Sequence, residues 1–143
     1  MTQQGPRGFT YWTTPARIIS LAVGVFYVLV GLWAFLDPAS FYAQVATFPP
    51  FNQHFLHDAG AFQVGLGLAL LLPAALGRGL RPALLAVLAA SLLHFVAHVE
   101  DVRLGGHSAT DLTALGVLCL ALVAGLVVDT RLPRSSNRKE VDR

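Results

Sequence analysis

The sequence predicts an all-α fold, specifically an integral-membrane, antiparallel four-helix bundle with a short interfacial segment between its first and second helices. Three observations carry that expectation. The composition is 55% hydrophobic and only 13% charged, with a mean hydropathy of +0.60, which is the balance of a membrane chain. The apolar residues fall into four runs, each near the roughly 20 residues that cross a bilayer core. The Lys and Arg residues gather at one side of those runs.

The first run, RIISLAVGVFYVLVGLWAFL (17–36), follows Thr13, Thr14 and Pro15, a capping residue and a helix-starting proline, and stops at Asp37-Pro38. It is longer than the apolar region of a secretory signal and no small-residue cleavage site follows, so it is expected to be a membrane anchor. The stretch from Pro38 to Asp58 is broken by Pro49-Pro50 and carries Phe41, Tyr42, Phe48, Phe51 and Phe55. Rings of this kind suit the headgroup layer, which predicts a short interfacial helix followed by an ordered loop. The second run, 59–76, and the third, 82–99, are separated only by GRGLR (77–81), which makes them antiparallel neighbours. Gly105-Gly106 then supplies a turn, Ser108-x-x-Asp111 resembles a capping box, and the fourth run covers 112–128. Residues 1–16 and 129–143 are expected to be a polar arm and a basic tail flanking a single transmembrane domain, 17–128.

Charge sets the expected orientation. Arg7, Arg17, Arg78, Arg81, Arg131, Arg134, Arg138, Lys139 and Arg143 share one side and only Arg103 lies on the other, so both termini are expected in the cytoplasm of a cell membrane. The sequence pI of about 9.1 is thereby topological, and nucleic acid is excluded as a partner for want of any binding motif. The lone Cys119 excludes an internal disulfide and reads as a packing residue. Gly24, Gly31, Gly60, Gly65, Gly67 and Gly116 read as small residues that let membrane helices approach closely.

With that topology the histidines His54, His57, His94, His98 and His107 all fall at the extracytoplasmic end, together with Asp37, Asp58, Glu100, Asp101 and Asp111. At 100° per residue Ser91, His94, His98 and Asp101 share one helical face, while Glu100 points away. An H-x3-H pair on one face can bring two imidazoles to one transition metal, and a carboxylate one turn on can complete the set. The candidate ligands are therefore His54, His57, Asp58, His94, His98 and Asp101, supported by Asn52, Gln63 and Asp111, with zinc or copper as the natural ions for imidazole. His94 is expected to lie deeper than His98 and to be approached by Asp58.

The leading expectation is a site that binds a metal ion or a small polar ligand. A second reading makes the polar residues helix ties in an accessory subunit, whose lipid-facing surface docks another membrane protein or a second copy. A third is bis-histidine haem ligation, which needs His94 opposed by His54 or His57 from another helix. No reaction is assigned by any of these.

FNQHFLHDAGAFQVGLGLAL (51–70) and RPALLAVLAASLLHFVAHVEDVRLGG (81–106) resemble a group of small actinobacterial four-helix membrane proteins and, more loosely, DoxX-like and DUF4345-type proteins. The resemblance spans roughly residues 17–128. Asn52, His54, Asp58, Gly60, His94 and His98 match its pattern, whereas His57 stands where an arginine is frequent. It implies a four-helix membrane fold and no particular activity.

Overall fold

The computed structural model describes residues 14–105 and 108–131. His107, the arm before Thr14 and the tail beyond Arg131 lie outside the described residues. Five helices follow one another: α1 (Pro15–Leu36), α2 (Pro38–Gln44), α3 (Gln53–Leu76), α4 (Leu80–Glu100) and α5 (Ser108–Arg131), with no strand among the described residues. The expected all-α four-helix bundle is thus present, with α2 as a short addition.

α1, α3, α4 and α5 are each long and apolar enough to cross a membrane, with mean hydropathies of 2.4, 1.8, 1.9 and 2.4 over their central windows. Their large side chains face outward to an extent that water would not tolerate: Phe62 is 77% exposed, Leu93 73% and Leu120 70%. Contiguous exposed apolar surface on every long helix is the pattern of a chain solvated by lipid. The protein is accordingly a small multi-pass membrane protein.

The helices do not pack in sequence order. α1 packs most extensively against α3 and also against α5; α4 packs against α5, and its seam with α3 is the sparsest of the four. The buried stripe of α1, Ala16, Ser20, Val23, Tyr27, Gly31 and Ala34, recurs every three or four residues, as one helical face must. Val23 and Tyr27 meet Leu70, Leu84, Val87, Leu118 and Leu122 in the main core.

The α1–α3 seam is built on four glycines in two antiparallel pairs, Gly24 with Gly67 and Gly31 with Gly60. A methyl at Gly31 would stand 2.7 Å from the carbonyl oxygen of Gly60, and one at Gly67 would stand 2.6 Å from that of Gly24. Backbone therefore touches backbone, and only glycine fits. The other two expected packing glycines differ: Gly65 has open space around it, and Gly116 meets only a Phe95 ring edge at 3.7 Å.

At one end of the bundle α3 and α4 are joined by the tight turn through Gly77 (φ 70°) and Gly79 (φ 77°), left-handed conformations that glycine adopts without strain. Arg17 was expected merely to flank the first span. It lies instead inside the first turn of α1, only 4% exposed, and its Nη2 donates to the carbonyl of Ala74. That carbonyl belongs to the last turn of α3, where no intrahelical donor remains, and a cation there also opposes the negative end of the helix dipole.

At the other end Asp37 terminates α1 and caps α2, its Oδ1 accepting from the Ser40 amide at 3.1 Å. The segment after it is a short helix followed by a loop, as expected, and it packs onto the bundle through its aromatics. Phe41 is 5% exposed and packs with Ala34 and Leu56, and Trp33 meets its ring edge-on at 5.4 Å. α2 and the loop to Asn52 are folded over the end of the bundle as a roof.

Candidate functional site

Beneath that roof is a cavity of about 560 Å³. Phe41, Tyr42, Val45, Phe48 and Pro49 cover it; Phe26, Tyr27 and Val30 of α1, Phe55, Leu56, Ala59 and Gln63 of α3, and Ala114, Leu115 and Leu118 of α5 form most of the walls. Its concentrated polar patch is on the α4–α5 side, where His94, His98, Asp101 and Asp111 converge.

The patch follows from helical spacing. His94, His98 and Asp101 lie on one face of α4, and Glu100 is outside the lining, as the phase of the sequence requires. The His94 and His98 Nε2 atoms stand 3.1 Å apart, so one ring donates to the other. The opposite nitrogen of His98, Nδ1, is 3.8 Å from an Asp111 carboxylate oxygen. That distance exceeds a direct hydrogen bond, yet the pair is enclosed, with side chains only 19% and 13% exposed. Asp111 sits in the first turn of α5, where a negative charge meets the positive end of the helix dipole. The Phe48 ring stands edge-on to His98 at 5.5 Å and walls it from the roof side.

His94 lies one turn further into the bundle than His98 along α4, as expected, but its side chain is not the more covered of the two. His94 is accessible through the cavity it lines, and His98, held between Asp111 and Phe48, is the more enclosed of the two. The reason is the roof, which buries the mouth of the bundle and leaves a hollow below it.

The expected Asp58–His94 pair is replaced by two others. α3 begins at Gln53, earlier than the apolar run, so His54 and Asp58 become i, i+4 neighbours on its exposed first turns, 3.6 Å apart with side chains 86% and 57% exposed. The acid that approaches the α4 histidines is Asp111. His57 stacks obliquely on Phe35 at 5.1 Å. His54, His57 and Asp58 do not line the cavity. Asn52 does, but its Oδ1 accepts from the Phe55 amide at 3.0 Å and is the N-cap of α3, a role that its matching spacing also explains. Gln63 lines the wall beside the Gly31 approach.

The six candidate metal ligands therefore divide between an exposed strip on α3 and the cavity face of α4. No group of three His, Cys, Asp or Glu side chains placed to hold a metal ion occurs among the described residues. Asp111 faces the nitrogen of His98 turned away from His94, so it does not stand beside the two Nε2 atoms as a third ligand. Among the described residues the histidines that line the cavity, His94 and His98, both come from α4 and so are not the opposed pair that a haem needs.

Sequence reasoning missed the floor. Tyr27 Oη and Ser91 Oγ are 2.7 Å apart, and Ser91 Oγ also lies 2.7 Å from the Val87 carbonyl oxygen, which accepts from it. Ser91 is buried and Tyr27 lines the bottom of the cavity, so the hydroxyl pair links α1 to α4 across the bundle. A lone hydroxyl-bearing ring at the middle of an apolar span was the available signal, since a buried phenol needs a partner. No family model, curated protein or solved structure matches the chain.

Proposed function

We propose that the roofed cavity binds a small ligand with an apolar, ring-sized body and one polar group, and that it does so on the extracytoplasmic side of the cell membrane, with both termini cytoplasmic. The observation that carries this reading is the asymmetry of the cavity. Its roof, floor and α1 and α3 walls are largely aromatic and aliphatic, and a compact His94–His98–Asp111 patch lies on the remaining side. About 560 Å³ falls in the range of pockets that enclose small organic molecules, and a few convergent polar groups in an apolar lining are how such pockets fix orientation. His94, exposed to the hollow, contacts the polar group. His98 acts through it, its ring steadied by Asp111. Lys and Arg asymmetry supports the orientation.

The test compares 1-naphthol with naphthalene in equilibrium binding to the detergent-purified chain. One added hydrogen bond contributes about 1 kcal/mol or somewhat more, so the naphthol should bind roughly tenfold more tightly. His94→Leu should abolish that preference while leaving naphthalene binding intact. Equal affinities for both probes in the parent chain would refute the reading. Stoichiometric zinc that is lost in a His94→Ala, His98→Ala variant would replace the organic ligand with a metal ion.

A further inference from the structure

The opposite end of the bundle carries a second hollow, of about 280 Å³, between the starts of α1 and α4 and the ends of α3 and α5. Arg17, Arg78 and Arg81 line it, and Asp129 is the one carboxylate among the lining residues. We infer that this pocket binds a phosphate-bearing anion at the membrane surface.

Three features converge on that chemistry. The first is charge: three guanidinium groups face one carboxylate, and among the described residues neither Arg78 nor Arg81 is engaged in an ion pair. Guanidinium is planar and always charged, and its parallel N–H donors match the oxygens of a phosphate. The second is rigidity. Arg17 is buried and tied to the Ala74 carbonyl, so one wall of the pocket is a fixed positive charge, whereas Arg78 and Arg81 are exposed and free to close on an occupant. The third is the helix that ends in the pocket. α4 begins at Leu80 after a Gly79 N-cap that supplies no side-chain cap bond, so the positive end of its dipole, with the Leu80 and Arg81 amides, opens on the pocket without a capping side chain; Pro82 has no amide to offer. A basic pocket between transmembrane helices at the headgroup level is where anionic lipid heads are held. The occupant is thus the phosphate of an anionic lipid or a free phosphate of the same chemistry.

The full chain in a neutral detergent is titrated with three probes: dihexanoyl phosphatidylglycerol, dihexanoyl phosphatidylcholine and inorganic phosphate, with bound molecules counted by native mass spectrometry. The glycerol lipid should bind about tenfold more tightly than the choline lipid, whose phosphate is neutralised within its own head. Arg78→Gln, Arg81→Gln should remove that difference, and Asp129→Asn should increase it. The arginines changed are the exposed pair, so folding is preserved; Arg17 is left alone because α3 depends on it. Competition by inorganic phosphate would identify a general phosphate site, and its failure to compete a site for the lipid head. Equal binding of the two lipids, or an unchanged preference in the double variant, would overturn the inference. The cavity under the roof is at the other end of the bundle, so none of these outcomes depends on its ligand.

Discussion

Replacing Gly31 by alanine should destabilise the bundle, although the same change in most helices does the reverse. Alanine is favoured over glycine by about 0.8–1 kcal/mol at a helix interior, because less backbone entropy is lost on folding. Against that gain, the new methyl at position 31 would lie 2.7 Å from the Gly60 carbonyl oxygen and 2.8 Å from the Val64 amide nitrogen. Both neighbours are backbone, so no rotamer change relieves the contact. Ordinary contact begins near 3.4 Å, so α1 and α3 must part locally by about 0.7 Å, the difference between 3.4 and 2.7. Overpacking of that order costs about 1–3 kcal/mol, and the gap it opens spreads along the tightest seam in the molecule. Set against the helix gain of about 0.8–1 kcal/mol, this leaves a net loss of about 1 kcal/mol at the middle of that range and about 2 at its upper end. Gly65 is the internal control: nothing lies within 4 Å of a methyl there, so Gly65→Ala should be neutral or stabilising by up to about 1 kcal/mol. Reversible unfolding in mixed micelles of increasing SDS content, followed by circular dichroism, measures both. If Gly31→Ala is as stable as the parent, or Gly65→Ala loses as much, the glycine seam is not what joins these helices.

Two further outcomes are expected. Ser91→Ala should cost about 1–3 kcal/mol, because the buried Tyr27 hydroxyl loses its partner, and Tyr27→Phe only about 0.5–1.5, because Ser91 keeps its bond to the Val87 carbonyl; the reverse order in the same unfolding assay would mean that the phenol is satisfied by water in the cavity. In double-mutant cycles, His98→Ala with Asp111→Ala should show a coupling energy of about 0.5–3 kcal/mol, whereas His94→Ala with Asp58→Ala should be additive, since Asp58 pairs with His54 on the exposed face. Coupling in the second cycle and additivity in the first would reverse the assignment of the acid.

The spans were legible because hydropathy over about 20 residues depends on composition alone, and Pro15, Asp37, Gly77 and the 100° periodicity marked their ends and faces. The faces of α4 were legible for the same reason: His94, His98 and Asp101 turned out on one wall. Partners across helices were not. Periodicity says which residues share a face and nothing about which helix that face meets, so Asp58 was expected where Asp111 stands. The start of α3 was placed late because its first turns, QHFLHD, are polar; the Asn52 cap defines them instead. The aromatics of residues 41–55 predicted an interfacial segment; that the segment also folds over the cavity was not legible, because it depends on the tertiary contacts of Phe41 with Ala34 and Leu56. Arg17 was counted as topology, whereas its burial in the first turn of α1 makes it a structural donor as well.

The order in which the helices surround the cavity has a consequence for how the protein is made. α1, α2 and α3 carry the glycine seam and the roof, so that half can assemble while the later helices are still being synthesised. α4 then brings Ser91 to Tyr27 and both histidines to the hollow, but the carboxylate opposite His98 and the Leu115–Leu118 wall belong to α5. A nascent chain that has inserted α4 alone has a roofed, three-sided trough with its imidazoles unaccompanied. The cavity is complete only with the last helix, so a chain cut short before α5 would lack one of its walls.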